Sequence, residues 1–283
     1  MTTDASAVDS FLSAALAEDL GAVGDITSVH VVPAATMAKG VVVARAAGCI
    51  SGLRAALRVF SLVDGSTEII QVVEDGSCVP AGTALATVAG SARSLLAAER
   101  VALNILGQLS GVATATRALV DHTQGTGATI IDTRKTVPGM RALQKAAVLD
   151  GGGGNHRMGL YDAVLIKDNH IAAAGSPAAA VRAARLGVGP GVSVEVEIDS
   201  VTDLESVIEA GANIVLLDNM TPAHMADAVA QAAGRCRLEA SGGITLATVR
   251  EIAESGVDLI SVGWLTHSAP ALDVALDFET DQL

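Results

Sequence analysis

The sequence predicts an α/β chain in two parts: an α+β unit, then a parallel strand–helix repeat that favours a small or incomplete α/β barrel over an open doubly wound sheet. Two patterns predict this. The first hundred residues or so mix a helix, several short strands and further helix without a fixed rhythm, as a separate α+β unit does. Beyond them, β-branched runs that end in polar residues alternate with Ala-rich helical stretches, at a spacing of about 20–35 residues that suits βα units with parallel strands. The length of 283 residues leaves room for one large or two ordinary domains.

Taken in order, Ser6 and Asp9 form a capping-box pattern that opens a helix carrying Phe11, Leu12, Ala15 and Leu16, ended by Gly21. Strands follow at Gly40 to Arg45, Thr67 to Val73 and Thr83 to Val88, divided by Asp-Gly and Pro-Ala-Gly turns. Ser94 to Asn104 reads as an amphipathic helix, with a second helical stretch after Gly107 to about His122. The repeat then supplies six strands: Thr129 to Asp132, Ala163 to Lys167, Val192 to Ile198, Ile214 to Asp218, Arg237 to Ala240 and Leu259 to Gly263.

Composition narrows the class. Charged residues are 17%, below the roughly 25% of an average chain, and apolar residues are 50%, which excludes disorder. A net charge of −13 argues against a general binder of nucleic acid or of anionic membranes. There is neither a basic-then-apolar leader nor an apolar run of membrane-spanning length, so a soluble, cytoplasmic protein is expected. Cys49, Cys78 and Cys236 match no disulfide framework or zinc spacing and read as free thiols.

In parallel α/β architectures the site lies at the carboxyl ends of the strands. Those ends are Asp132 to Lys135, Lys167 to Asn169, Glu197, Asp218-Asn219, Ser241 to Gly243 and Gly263. Between Thr133 and Lys167 the basic residues Arg134, Lys135, Arg141, Lys145, Arg157 and Lys167 face only Asp150 and Asp162, a cationic island in an acidic chain. Arg and Lys at strand ends suit a small polyanion, with Arg as a bidentate fork for carboxylate or phosphate. Arg141 and Lys145, four apart on one helix, read instead as a solvated face. A run of four glycines delivers Asn155, His156 and Arg157. Ser241-Gly242-Gly243 between a strand and a helix offers backbone N–H groups to a phosphate, and Gly263 beside it completes the cup. Glu197 and Asp218 could take Mg²⁺ or sugar hydroxyls. Glu195 shares the parity of Glu197, so either could face inward. With no Cys-His or Ser-His nucleophile system, this set suits transfer of a phosphorylated sugar to an anionic acceptor more than hydrolysis.

Longer motifs carry a resemblance. The segments Ala17-Glu18-Asp19-Leu20, Gly24 to Ser28, Ala98-Glu99-Arg100 and Leu109 to Thr114 precede the densest stretch. That stretch comprises Asp132 to Lys145, Gly151 to Ile171, Leu216 to Asn219 and Ser241 to Ile244, with Leu265 to Ser268 near the end. In this order they resemble the quinolinate phosphoribosyltransferase family (type II phosphoribosyltransferases), the decarboxylating nicotinate-nucleotide pyrophosphorylases of NAD biosynthesis. The resemblance implies an N-terminal sandwich over 1–108 and a six-stranded α/β barrel over 109–270, with a tail at 271–283 that returns to the sandwich. It implies quinolinate and phosphoribosyl pyrophosphate as substrates, Mg²⁺ as cofactor, and a homodimer in which Arg100 is lent across the interface. Arg134, His156, Arg157 and Lys167 match the quinolinate pocket, and Lys135 lies beside the pyrophosphate. Glu197 and Asp218 match the carboxylates serving ribose and metal. Ser241, Gly242, Gly243 and Gly263 match the 5-phosphate cup. Lys135 and Lys167 are assigned electrostatic roles, since the chemistry needs no imine.

Three positions depart from the family pattern: Ala146 in place of an aromatic, Ala240 in place of the first serine of Ser-Ser-Gly-Gly, and Trp264 in place of a small residue after the last-strand glycine. The rival readings are a nicotinate phosphoribosyltransferase or molybdenum-utilisation relative, a lysine-dependent barrel aldolase using Lys167, and a sensor that has kept the fold. The intact basic set with Glu197 and Asp218 favours the transferase acting on a dicarboxylate.

Overall fold

The computed structural model describes residues 5–279, which divide into two compact units. Of the described residues, the first holds 5–117, Val137–Gly152 and 268–279; the second holds Ala118–Thr136 and Gly153–His267. The segment Val137–Gly152, expected within the barrel, thus belongs to the first unit.

In the first unit come α1 (Ala5–Leu20), α2 (Ile26–Val31), β1 (Met37–Ala44), β2 (Gly48–Cys49), α3 (Leu53–Val63), β3 (Glu68–Gln71), β4 (Cys78–Val79), β5 (Ala84–Ser91) and the start of α4 (Ala92–His122). The second unit begins β6 (Thr129–Ile131), and α5 (Arg141–Asp150) returns to the first. The second unit then continues through β7 (Val164–Ile166), α6 (Asp168–Ala174), α7 (Pro177–Gly187), β8 (Val194–Ile198), α8 (Leu204–Glu209), β9 (Ile214–Asp218), α9 (Pro222–Ala232), β10 (Arg237–Ser241), α10 (Val249–Glu254), β11 (Leu259–Ser261) and α11 (Trp264–His267). The last strand, β12 (Val274–Phe278), goes back to the first unit.

The first unit is built on an antiparallel sheet in the order β12-β1-β5-β3. Along β1 every second residue is buried, the pattern of a sheet with one covered face. Leu12, Val42, Leu53, Phe60, Leu85, Leu95 and Leu106 share its core. The chain's last strand closes the edge, Gly40 lying opposite Phe278 and Ala44 opposite Val274. Two elements differ from expectation. Leu53–Val63 is a helix that the strand-rich reading missed, since its buried residues Leu53, Ala56, Leu57, Val59 and Phe60 form a face only at helical spacing. Helix α4 runs unbroken through Gly107 and Gly111, where two helices were expected.

Magnitudes explain that continuity. Each glycine inside a helix costs about 1 kcal/mol relative to Ala. Burying Leu103, Leu106, Leu109 and Val112 on this helix contributes about 1.5–3 kcal/mol apiece. Gly111 also has a packing reason, because a Cβ there would sit 3.0 Å from the Ala271 Cα and collide with the Pro270 carbonyl. The expectation of free thiols needs correction for two cysteines: β2 and β4 pair Cys49 directly with Cys78, and the two form a disulfide. They are 29 residues apart in sequence, and only the antiparallel pairing makes them neighbours. Cys236 is free and half-buried, and burial pushes its thiol up.

The second unit is a parallel sheet in the order β6-β11-β10-β9-β8-β7. Apart from the pairing of β6 with β11, every neighbour is the next strand in the chain. This is the circular order of a barrel, whereas a doubly wound sheet would reverse direction at a switch point. The sheet has one seam, between β6 and β7. There Gly154 bridges to Ile131, its N–H donating to the Ile130 carbonyl at 2.7 Å. Two helices of this unit start with ordinary caps: Ser176 accepts from the Ala179 N–H before Pro177, and Thr221 from the His224 N–H before Pro222. No described helix is long and apolar enough to cross a membrane.

Gly111→Ala is expected to destabilise the protein by about 1–3 kcal/mol, through overpacking against the 270–271 backbone. The check is a urea melt at fixed protein concentration, where the midpoint should fall.

Candidate active site

The carboxyl ends of the six parallel strands carry the polar set. After β6, Asp132 is fully buried and its Oδ1 accepts the His156 N–H at 2.9 Å. The next turn is fixed by the Lys135 N–H donating to Thr133 Oγ1 at 3.0 Å and by Thr266 Oγ1 donating to the Lys135 carbonyl at 2.7 Å. The Lys135 side chain crosses Gly263, its Cδ 3.0 Å from where a Cβ would stand, so any larger residue there would displace the lysine. At the end of β7, Lys167 Nζ meets Glu197 Oε2 at 2.6 Å. At the end of β9, Asp218 Oδ2 accepts from Asn219 Nδ2 at 2.7 Å.

Asn219 takes the left-handed conformation at φ +53° and donates its N–H to the Ser241 carbonyl at 2.9 Å, which ties the β9 and β10 ends together. Gly242 follows at φ +103° with the Asn219 side chain against its Cα, a position that excludes a Cβ on both counts. Trp264 does not disturb this turn. Its indole Nε1 donates to the Ile244 carbonyl at 2.9 Å, linking the loop after β10 to the start of α11.

Deeper in the barrel lies a second group. Arg157 donates from Nη1 to the Ala163 carbonyl at 2.9 Å, while its Nε is buried without a partner. Burial, and then the neighbouring Arg134 charge, hold its guanidinium below the ordinary arginine value. His156 is mostly buried: its Nδ1 accepts the Arg157 N–H at 2.7 Å, and its Nε2 stands 3.2 Å from Glu195 Oε2 and 3.9 Å from Glu239 Oε2. These residues line a cavity of about 200 Å³ with Asn155 and Arg237. Asp162 braces the loop, taking the Met158 and Gly159 N–H groups at 2.6 and 2.9 Å.

The structure therefore gathers Arg134, Lys135, His156, Arg157, Lys167, Glu197, Asp218, Ser241, Gly242, Gly243 and Gly263 within one unit. Arg100 belongs to the first unit, exposed on α4, where it lines a cavity of about 230 Å³ with Glu18, Asp19, Asn104 and Gln108. Arg141 and Lys145 also lie in the first unit, and the solvated-face reading fails for Lys145, which is 1% exposed. Both carboxylates of β8 point inward, Glu197 at the mouth and Glu195 below it, so the alternative left open by parity is resolved in favour of both. Glu239 was missed. The available signal was an acid in the middle of a short apolar strand, with the inward parity of Ser241. Glu197 and Asp218 end adjacent strands and offer only oxygen donors, which fits a hard divalent cation such as Mg²⁺.

Comparison with known proteins agrees with this architecture. Residues 112–277 match the family described as quinolinate phosphoribosyl transferase, C-terminal domain, and residues 25–110 match the N-terminal domain of the same family. The chain is 46% identical over 268 residues to the nicotinate-nucleotide pyrophosphorylase [carboxylating] of Mycobacterium leprae, covering 93% of this chain and 94% of that protein. It is 39% identical to quinolinate phosphoribosyltransferase [decarboxylating] 1b of Nicotiana tabacum, covering 94% and 81%. Among solved structures, the nicotinate-nucleotide pyrophosphorylase of Francisella tularensis superposes with a TM-score of 0.94 at 38% identity over 98% of each chain.

The buried acids have a consequence for stability. Burial, with the nearby Glu195 charge, pushes Glu239 from 4.5 up to about 8. Between those values the folded chain holds a proton that the unfolded chain has released, so this group lowers stability as pH rises through that window. Relative to wild type, Glu239→Gln should flatten the decline, as read from denaturant melts across the same range.

Proposed function

The chain belongs to the quinolinate phosphoribosyltransferase family, and from that premise we propose that it transfers the phosphoribosyl group of 5-phosphoribosyl 1-pyrophosphate to quinolinate with loss of CO₂, giving nicotinate mononucleotide and pyrophosphate for NAD biosynthesis. The observation that carries this reading is the placement of Arg134 beside a half-buried Arg157. Burial and the Arg134 charge both hold the Arg157 guanidinium below its ordinary value, with Glu195 and Asp162 opposing them only in part, so an additional anion is favoured at this place. A ligand with two adjacent carboxylates suits this pair, since a guanidinium can meet a carboxylate through two parallel N–H donors.

The remaining groups divide along the reaction. Arg134, Arg157 and Lys167, with His156 beside them, hold the acceptor so that its ring nitrogen faces the anomeric carbon of the donor. Lys135 stands by the pyrophosphate and offsets its charge as the bond to the anomeric carbon breaks. Glu197 and Asp218 would hold the ribose hydroxyls and Mg²⁺, which would supply positive charge against the pyrophosphate. The positive-φ glycines Gly242 and Gly243, with Ser241 and Gly263, form a nest of backbone N–H groups for the 5-phosphate. Attack leaves the ring nitrogen quaternised, and that positive charge stabilises the carbanion formed when the 2-carboxylate departs as CO₂; the carbanion then takes a proton from water to give nicotinate mononucleotide. Lys167 is ion-paired with Glu197, which suits electrostatic stabilisation and requires no imine. The protein acts in the cytoplasm as a homodimer, with Arg100 reaching the partner's acceptor pocket.

Purified protein with Mg²⁺ should release labelled CO₂ from carboxyl-labelled quinolinate only when phosphoribosyl pyrophosphate is present. Equal or better turnover of nicotinate, or no CO₂, would overturn the assignment. Mixing inactive Arg100→Ala subunits with inactive Lys167→Ala subunits should restore partial activity, because one site of each mixed dimer then carries neither change. No recovery in proven mixed dimers would refute a shared site.

A further inference from the structure

Inside the barrel, below the strand ends, Glu195 and Glu239 are 4% and 1% exposed. With both acids ionised, Glu195 Oε1 and both oxygens of Glu239 find no hydrogen-bond donor. Two buried carboxylates so placed cannot both stay charged without a cation or a shared proton. Together with His156 they offer three metal-ligating side chains whose atoms lie within 4.8 Å of one another. The histidine decides between cation and proton. A backbone N–H can only donate, so the Arg157 N–H at 2.7 Å makes Nδ1 an acceptor and leaves the ring proton on Nε2. An Nε2–H aimed at Glu195 Oε2, 3.2 Å away, is a donor and has no lone pair for a metal. The cluster therefore carries a proton. Glu239, in agreement, is pushed up to about 8 and can donate to Glu195 as a neutral acid.

This arrangement forms a chain of contacts that ends at Arg157, the residue assigned above to the acceptor. Glu239 supports Glu195, Glu195 takes the His156 ring, and the ring takes the Arg157 backbone. On the other side, His156 is fixed by its own N–H on the fully buried Asp132. We propose that Glu195 and Glu239 are positioning residues for quinolinate: they orient the His156 ring, which in turn sets the Arg157 backbone and aims its guanidinium at the acceptor. The inference rests on the function argued above for the identity of the acceptor, and on the geometry alone for the chain of contacts.

The test uses the full-length enzyme with Mg²⁺. Glu195→Ala should raise the KM for quinolinate about tenfold or more, the worth of one charge-assisted hydrogen bond, and leave the KM for phosphoribosyl pyrophosphate within about twofold. Glu195→Gln should recover most of the loss, since its amide oxygen accepts the same Nε2–H. Both KM values rising together, no rise at all, or Gln doing no better than Ala would overturn the proposal. Ring ¹⁵N shifts of His156 supply a readout that needs neither substrate nor the Ala variant. A neutral Nε2–H tautomer at neutral pH supports the proposal, and an imidazolium, the other tautomer, or a tightly retained metal lost in Glu239→Gln refutes it. If wild-type protein fails to consume quinolinate, the functional reading fails, and the ring shifts still judge the contact chain.

Discussion

The seam between β6 and β7 organises the catalytic unit, because a parallel barrel of six strands that lacks one pairing must close the gap with something other than a strand. Here it is closed by a short segment. Gly154 takes the place of a strand residue beside Ile131, and three residues later the Arg157 guanidinium reaches the Ala163 carbonyl at the threshold of β7. The backbone is thus satisfied on one side and a side chain holds the other. Asn155 and His156 lie between these two anchors and line the cavity in the barrel. A full strand in the seam would have supplied regular pairing, but successive side chains of a strand alternate between faces, so it could not have turned both His156 and Arg157 toward the inner cavity.

Closing the barrel in this way has an electrostatic cost that the site uses. The Arg134 charge lies near Arg157, which follows the seam segment, and burial weakens the hydration that would otherwise ease their repulsion. Beside Arg157, the buried acids Glu195 and Glu239 line the same cavity. Charge in the barrel is therefore mixed: Arg157, Glu195 and Glu239 share the inner cavity, with Lys135, Lys167 and the carboxylates of Glu197 and Asp218 around the rim. The net charge of −13 belongs to the body of the chain and says little about the interior of its site.

The fold was legible where local pattern and tertiary demand coincide. All six barrel strands lie within a few residues of their expected positions: five are short runs with β-branched residues, as buried parallel strands tend to be, and β10, which has none, falls at the spacing of the repeat. The reading failed where long-range packing outweighed local preference. Gly107 and Gly111 argue for a helix break, yet burial along α4 exceeds their cost. Leu53–Val63 lies among strands and was not recognised. Val137–Gly152 follows the barrel's first strand in sequence but belongs to the other unit, a connection that no local signal reports.

Of the site, the sequence by itself determined the chemical inventory: cations and glycines at strand ends, two rim carboxylates, and long motifs specific enough to name a family. Residue type and position along a strand suffice for that, since strand ends in a parallel sheet converge whatever the details of packing. Only the tertiary structure decided the partners. Which of Glu195 and Glu197 faces inward, that Glu239 joins His156, that Trp264 braces a turn, and that Cys49 meets Cys78 all depend on contacts between residues far apart in the chain. Such contacts are set by three-dimensional closure, and the order of residues along the chain does not encode them locally.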